Sequence, residues 1–459
     1  MEAQQPVSAT DETTTYEEQI PQPPPSPPGM VAGESALGLE RGQVAEAGST
    51  PTRLPSLRKN RDYMLLWSGQ TISALGSSMS GIVFPLLILE LTNSAASAGI
   101  AAALGQLPFP ILSLPVGALI DRWDRKKVMI LCDIGRALSL ASVPVALSLG
   151  VLTVWQLYLN ALIEGTLFVF FNIAEVACLP RVVAKAQLPA ATAQNEATFG
   201  TAGLLGPPVG GFLYDSLGRM FPFIFDAVSY TASVISLFFI KTKFQGERSV
   251  ERRKLTVEIK EGVSWLWNQK LVRFMAFLTG GLNLTNSASY LIIIVIAKSM
   301  GADSFTIGSM VSIAAIGGIL GAIAGGQIQK RFRFGQVIIT TVWIEALLFP
   351  LYAVAPNIIL IGVISAIIWM TSPIYNVVQF SYRMALIPDA LQGRVNSAVR
   401  LIAWGTQPVG AFMAGVLLEK YGPVTAVLVF AAWLVVFALL ATVNSYVRNA
   451  KPIEQVTEG

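Results

Sequence analysis

Two long apolar runs, residues 96–119 and 128–149, are joined by a turn, and this turn packs six charged residues into the seven positions from Asp121 to Lys127. Runs so long and so apolar match the roughly 20 residues needed to cross a bilayer core, so the turn lies at a membrane face. The same pattern recurs along the chain. Apolar runs fall at 63–90, 96–119, 128–149, 153–178, 190–213 and 221–240, then at 271–297, 305–326, 335–354, 357–381, 394–418 and 424–446, predicting twelve spans. Only 13% of the 459 residues are charged and 53% are hydrophobic, against about 25% charged in an ordinary soluble domain. The runs do not alternate with period two, which favours helices over a barrel.

The flanking regions divide the chain. Residues 1–55 hold a proline run, Pro21 to Pro28, and no apolar period, and are expected to form a disordered cytoplasmic tail. No basic-then-apolar leader pattern follows Met1, so a signal peptide is not expected. A six-helix bundle over 56–240 is followed by a charged linker, 241–270, then a second bundle over 271–447 and a short tail, 448–459. Within the linker, Ile259, Val263, Leu266 and Trp267 recur at helical spacing. They predict an amphipathic helix at the membrane surface, with Trp265 and Trp267 as anchors. Lysine and arginine crowd one set of alternating loops, whereas the opposite set holds only Arg219, Lys298 and Lys420. The positive-inside rule puts the rich set, and with it both termini, in the cytoplasm of a multi-pass inner (plasma) membrane protein.

A repeat relates the two halves. Gly206, Gly211, Asp215 and Gly218 match Gly410, Gly415, Glu419 and Gly422 in type, at a constant offset of 204. Two parallel repeats of six spans imply two bundles that rock about a central cavity.

These residues also carry a family resemblance. Gly117, Asp121, Arg122, Arg125 and Lys126 resemble the loop between spans two and three of the major facilitator superfamily. Gly203, Gly206, Pro207, Gly210 and Gly211 resemble its antiporter-type span-five signature. Leu391 to Ser397 and the stretch before span seven are similar to the bacterial branch of macrolide-efflux and enterobactin-exporter proteins. The resemblance implies an all-α membrane protein of the major facilitator fold, with 12 transmembrane helices in two six-helix bundles related by a pseudo-two-fold axis. It further implies that the 117–129 loop latches the cytoplasmic side while the cavity opens outward, with Asp121 and Arg125 forming a local network and Arg394 or Arg400 as second-half partners. One departure stands out. Where many drug antiporters carry an arginine in span four, this chain has Ala161, Glu164 and Gly165.

Charges inside spans usually mark function, because burying them in hydrocarbon costs several kcal/mol. Asp133 and Arg136 are candidates for proton coupling; they lie three apart, which equally allows a structural ion pair on one helix face. Glu164 has no base within a turn of its own helix and is the first candidate for a proton carrier, since removing a carboxylate from water favours its neutral form. Glu175 offers a second station. Glu196 and Asp226 are further candidates, or partners of loop bases, and Glu345 lies in span nine. The span-five glycines let another helix approach closely. A largely apolar cavity is expected from Met79, Phe84, Phe168, Phe171 and Asn172 in the first half. Asn283, Asn286, Tyr290, Trp369, Tyr375, Asn376 and Gln379 extend it in the second.

The chain has no histidine, and its two cysteines, Cys132 and Cys178, sit in apolar surroundings. No cofactor, metal site, nucleic-acid partner or enzymatic activity is expected. The leading reading is a monomeric transporter in membrane lipids that exports a small amphipathic organic compound in exchange for protons. A lipid or lysophospholipid flippase and a non-transporting receptor or scaffold are the alternatives.

Overall fold

The computed structural model describes residues 56–245 and 255–450, with side chains in the helix at 255–268 described from Lys260 onward. The expectations for 1–55 and for the last nine residues lie outside the described residues.

Long apolar runs form long helices. In the first half these are α1 (Arg61–Thr92), α2 (Ala95–Gln106), α3 (Pro108–Ile120), α4 (Arg125–Ser148), α5 (Val154–Val182), α6 (Leu188–Ser216) and α7 (Phe221–Phe239). A shorter helix, α8 (Leu255–Asn268), precedes α9 (Lys270–Ser299), α10 (Ser304–Arg331), α11 (Phe334–Leu348), α12 (Ile358–Leu386), α13 (Gln392–Gly405), α14 (Gln407–Val443) and α15 (Ser445–Arg448). Helix starts follow ordinary capping chemistry: Asn60, Ser94, Asp124, Thr153, Asp303 and Asn357 each accept the amide three residues on, which satisfies one donor that the first turn leaves free. Pro108 sits at the first position of α3, where its missing N–H costs nothing, and so divides an otherwise continuous span.

Ten helical stretches are long and apolar enough to cross a membrane. The last of them, Gln392–Val443, runs 52 residues, about 78 Å at 1.5 Å per residue, far beyond the ~30 Å of a bilayer core. Gly422 breaks it at φ 78°, a left-handed conformation that glycine adopts without steric cost, and Pro423 follows. Helix α6 is also long, at 29 residues, though more polar than the ten. The described chain is thus an all-α, membrane-spanning helical bundle.

Helix seams use glycine where backbones touch. A Cβ on Gly317 of α10 would overlap the Ala366 carbonyl of α12, and one on Gly410 of α14 would overlap the Leu284 carbonyl of α9. Gly317→Leu is expected to lower the melting temperature of the purified protein by several degrees, because overpacking costs about 1–3 kcal/mol. Unchanged melting would show that α10 and α12 separate freely.

Helix α8 forms where the amphipathic spacing predicts. Its Leu266 is buried with Val395 and Val399 of α13, Glu261 pairs with Arg394, and Trp267 remains half exposed beside Phe277 and Arg273. The helix is therefore clamped to α13.

Candidate functional site

The central feature is a cavity of about 580 Å³ whose walls come from α1, α2, α4, α5, α7, α9, α12 and α14. On one side the wall is charged. Arg136 of α4 donates through Nε to Glu164 Oε2 of α5 at 3.0 Å, and its guanidinium lies 4.2 Å over the ring of Tyr230 and 5.9 Å over that of Phe168. Tyr230 in turn shares a 2.7 Å hydrogen bond with Ser77 of α1. Asp226 of α7 is fully buried and accepts from Ser80 of α1 and, at 3.2 Å, from Ser229. Close approach of α1 to α7 is possible because Gly76 has no side chain: a Cβ there would press on Ser229 and Asp226.

This geometry corrects the expected Asp133–Arg136 pair. Arg136 reaches across to Glu164 instead, and Asp133, also fully buried, makes no ion pair within 4.0 Å among the described residues and interacts with Ser233 of α7. Helical spacing brings the two residues to one side of α4, but the long guanidinium extends away toward α5 and α7. Asp226 belongs to this buried cluster rather than to loop bases. Glu175 is buried on α5 and within electrostatic reach of Asp133. Glu196 is exposed on α6 and lies outside the cluster.

The other walls divide the expected cavity residues. Phe84, Phe168, Asn286, Tyr290 and Trp369 line the large cavity, whereas Asn283, Tyr375 and Asn376, again with Asn286 and Trp369, line a smaller one of about 280 Å³ in the second half. Four candidates line neither. Met79 is buried in the seam between α1 and Gly210 of α6, and Phe171 is packed in the first-half core. Asn172 is half-buried on α5, and Gln379 is buried with its amide nitrogen unpartnered. Sequence reasoning passed over Ser77, Ser80, Gln106, Tyr230 and Gln407. Small hydroxyls and amides on apolar helices carry no signal until helix faces are known.

The two halves meet most tightly at the end of the bundle that carries few bases. Glu419 of α14 accepts from the Ala95 amide at 2.8 Å and the Ala96 amide at 3.4 Å, at the start of α2. Asp215 of α6 accepts from the Phe305 amide at 3.0 Å, at the start of α10. Each carboxylate thus faces the positive end of a helix in the other half. Each is preceded, four residues back, by a glycine whose Cβ would press on that same helix start: Gly415 against Ala95 and Gly211 against Ser304. Asp303 also caps α10, and the Thr306 side chain and amide hold its carboxyl below the usual carboxylate range. Glu90 adds a third link, accepting from Arg219 at 2.9 Å and lying 3.9 Å from Lys298 of α9.

In the glycine-rich α6, Gly206 and Gly210 pack against α1, Gly211 packs against α10, and the Pro207 carbonyl meets Gly308. Gly203 does not join this seam, since a Cβ there would meet nothing within 4 Å.

At the base-rich end, Arg125 lies 3.5 Å from Asp121 and donates to the carbonyls of Ala177 (2.8 Å) and Phe244 (3.3 Å). Lys126 donates to Phe238 and Ile240 at the C-terminus of α7, where carbonyls left free by the helix favour a cation. Gly117 borders a small cavity with Ser397 and Arg400. The proposed second-half partners are engaged elsewhere. Arg394 meets Glu261, and Arg400 lies 5.6 Å over the rings of Phe109 and Trp404, which stack on each other across the halves. Asp121 remains mostly exposed, and the partner it shows is Arg125 of its own half.

Known proteins share both sequence and shape. The chain is 27% identical over 379 residues to the multidrug efflux pump Tap of Mycolicibacterium fortuitum, covering 78% of this chain and 89% of that one. It is 24% identical over 374 residues to macrolide efflux protein A of Streptococcus pyogenes, covering 78% and 90%. Among solved structures, the nucleoside transporter NupG superposes with a TM-score of 0.64 at 16% identity, covering 85% of this chain and 100% of that one. A bacterial homologue of the lysosomal transporter Spinster, in an inward-facing state, gives 0.63 at 14% identity, covering 84% and 97%. Residues 66–406 match the Major Facilitator Superfamily, and the chain therefore belongs to that family of secondary membrane transporters.

Proposed function

We propose that the chain exports a small amphipathic organic compound in exchange for protons, by alternating access between two six-helix bundles. The relatives named as multidrug and macrolide efflux proteins support the substrate class. Twelve crossings follow if α6 is counted with the ten apolar stretches and the 52-residue stretch is divided at Gly422. The bundles then span 56–240 and 271–447, with 241–270 between them. The matched contacts of Gly211 and Asp215 with α10, and of Gly415 and Glu419 with α2, support a pseudo-two-fold relation. The excess of loop bases at one end supports a cytoplasmic position for both termini. With the base-poor end held shut by Asp215, Glu419 and Glu90, this arrangement is the inward-facing one, and the Asp121 loop is unlatched in it.

The observation that carries proton exchange is the buried cluster in which Glu164 and Asp226, on the cavity wall, and Asp133, outside that wall on α4, share the guanidinium of Arg136 as their nearby cation. Three carboxyls against one fixed cation give the cluster protons to exchange, because full ionisation would leave two uncompensated charges in low dielectric. Proton arrival on Glu164 would loosen its bond to Arg136 beside the cavity, and substrate release would follow. Such a chain works as a monomer in the lipid bilayer and needs no nucleic acid.

Proteoliposomes with an imposed pH gradient test this reading with radiolabelled erythromycin as the probe. Gradient-dependent erythromycin flux is expected, and Glu164→Gln is expected to abolish its dependence on the gradient while leaving downhill exchange. A Glu164→Gln protein that remains fully gradient-driven would remove this residue from the coupling step. Movement of lysophospholipid alone, without gradient dependence, would replace export by flipping.

A further inference from the structure

The smaller cavity, about 280 Å³, lies wholly among helices of the second half and contains a carboxylate that the proton-exchange reading does not use. Glu345 of α11 lines it and accepts from Thr371 of α12 at 2.7 Å. Among the described residues no lysine or arginine lies within 4.0 Å of this carboxylate. Nearby hydroxyls are committed elsewhere: Tyr375 to Thr279 and Tyr352 to Ser365, each at 2.8 Å. In its charged form a lone carboxylate at membrane depth is costly unless a counter-charge meets it. In the large cavity Arg136 supplies one. Here the described residues supply none.

The rest of the wall selects what kind of cation could fill that role. The rings of Phe349, Trp369 and Tyr375 border the same space. Aromatic rings attract a weakly hydrated organic cation within about 6 Å of their faces. A hard metal ion needs several oxygen ligands, commonly six to eight for calcium, and among the described residues no cluster of three metal-binding side chains occurs. Asn286 and Trp369 border both cavities, so the two spaces adjoin.

We propose that the Glu345 cavity is a subsite for an organic ammonium group, with the apolar body of the same molecule extending past Asn286 and Trp369 into the larger cavity. Glu345 supplies the counter-charge and the three rings contact the alkyl groups on nitrogen. The subsite deepens the export reading and rests on it, but its test needs no gradient and no transport.

The full chain in lipid nanodiscs is titrated with 2-naphthyltrimethylammonium, whose charge is permanent, and with its neutral carbon isostere 2-tert-butylnaphthalene; empty nanodiscs give the lipid background. The wild-type chain is expected to bind the cation at least tenfold more tightly than the isostere. Glu345→Gln is expected to raise the Kd of the cation about tenfold and leave that of the isostere unchanged, which also reports an intact fold. Trp369→Leu keeps the charge and is expected to weaken the cation about threefold or more, providing a second variant should Glu345→Gln fail to fold. Equal affinity for the two probes in the wild type overturns the subsite. Wild-type affinity for the cation in Glu345→Gln does so too, as does an equal loss of both probes in either variant. Failure of gradient-driven erythromycin flux with a Glu345-dependent cation preference intact would count against export alone.

Discussion

Arg136→Met is expected to lower gradient-driven flux at least a hundredfold and to reduce thermal stability markedly. The guanidinium bonds Glu164, covers the Tyr230 ring and is the one cation near Asp133 and Asp226. Removing one member of a buried pair costs about 3–5 kcal/mol, because the other is left buried and uncompensated. Methionine preserves much of the side-chain length, so loss of packing contributes little. Combining Arg136→Met with Glu164→Gln should recover most of the stability, since removing both charges avoids the uncompensated state, yet should not recover flux. Melting curves and proteoliposome flux on the four proteins of this cycle separate the two effects. Equal stability of Arg136→Met and the wild type would mean that the pair is solvated rather than buried.

The second large effect concerns the base-poor end. Asp215→Ala and Glu419→Ala each remove a charged cap from a helix start in the opposite half, a contribution of about 1 kcal/mol. Together they should shift the equilibrium toward a form open at the base-poor end by about 2 kcal/mol, or roughly thirtyfold. Cysteine accessibility reads this shift. The native thiols of Cys132 and Cys178 are buried, so Ala98→Cys, at a buried position one turn inside the cap on α2, reports with low background. Labelling by an impermeant maleimide from the base-poor side should rise steeply in the double variant. Glu419→Gln, which keeps an acceptor and loses only the charge, should fall between. Labelling unchanged from the wild-type background would show that the caps do not hold this end closed.

Much of the architecture was legible in the sequence because hydrocarbon imposes a simple rule on composition and length. The expected spans 63–90 and 190–213 become α1, Arg61–Thr92, and α6, Leu188–Ser216. The spacing of Ile259, Val263 and Leu266 foresaw α8. Pairing was much less legible. Sequence showed that Asp215 and Glu419 correspond, but a partner that is a backbone amide 90 or 324 residues away leaves no side-chain trace. The spacing on one helix allows Arg136 to pair with Asp133, while the partner it meets, Glu164, sits 28 residues on, across a helix interface. Eight of the twelve expected cavity residues line one of the two cavities and four do not, for the same reason. Trp369 and Phe84 face open space, but Met79 and Phe171, equally apolar by type, fill seams. Which face of a helix meets a void depends on neighbours that no local pattern names.

The glycine contacts at the helix starts have a mechanical consequence. Where Gly211 meets Ser304 and Gly415 meets Ala95, backbone rests on backbone, so neither joint can be compressed. Both lie at one rim of the bundle, which makes them a pair of fulcrums for the long helices attached to them. A helix of twenty residues extends about 30 Å from such a pivot, and turning it by about 10° would carry its far end through about 5 Å. A pivot fixed at one rim thus converts a small angular change into a wide displacement at the other. The loss of a single capping carboxylate at that rim would then be felt at the opposite face of the membrane.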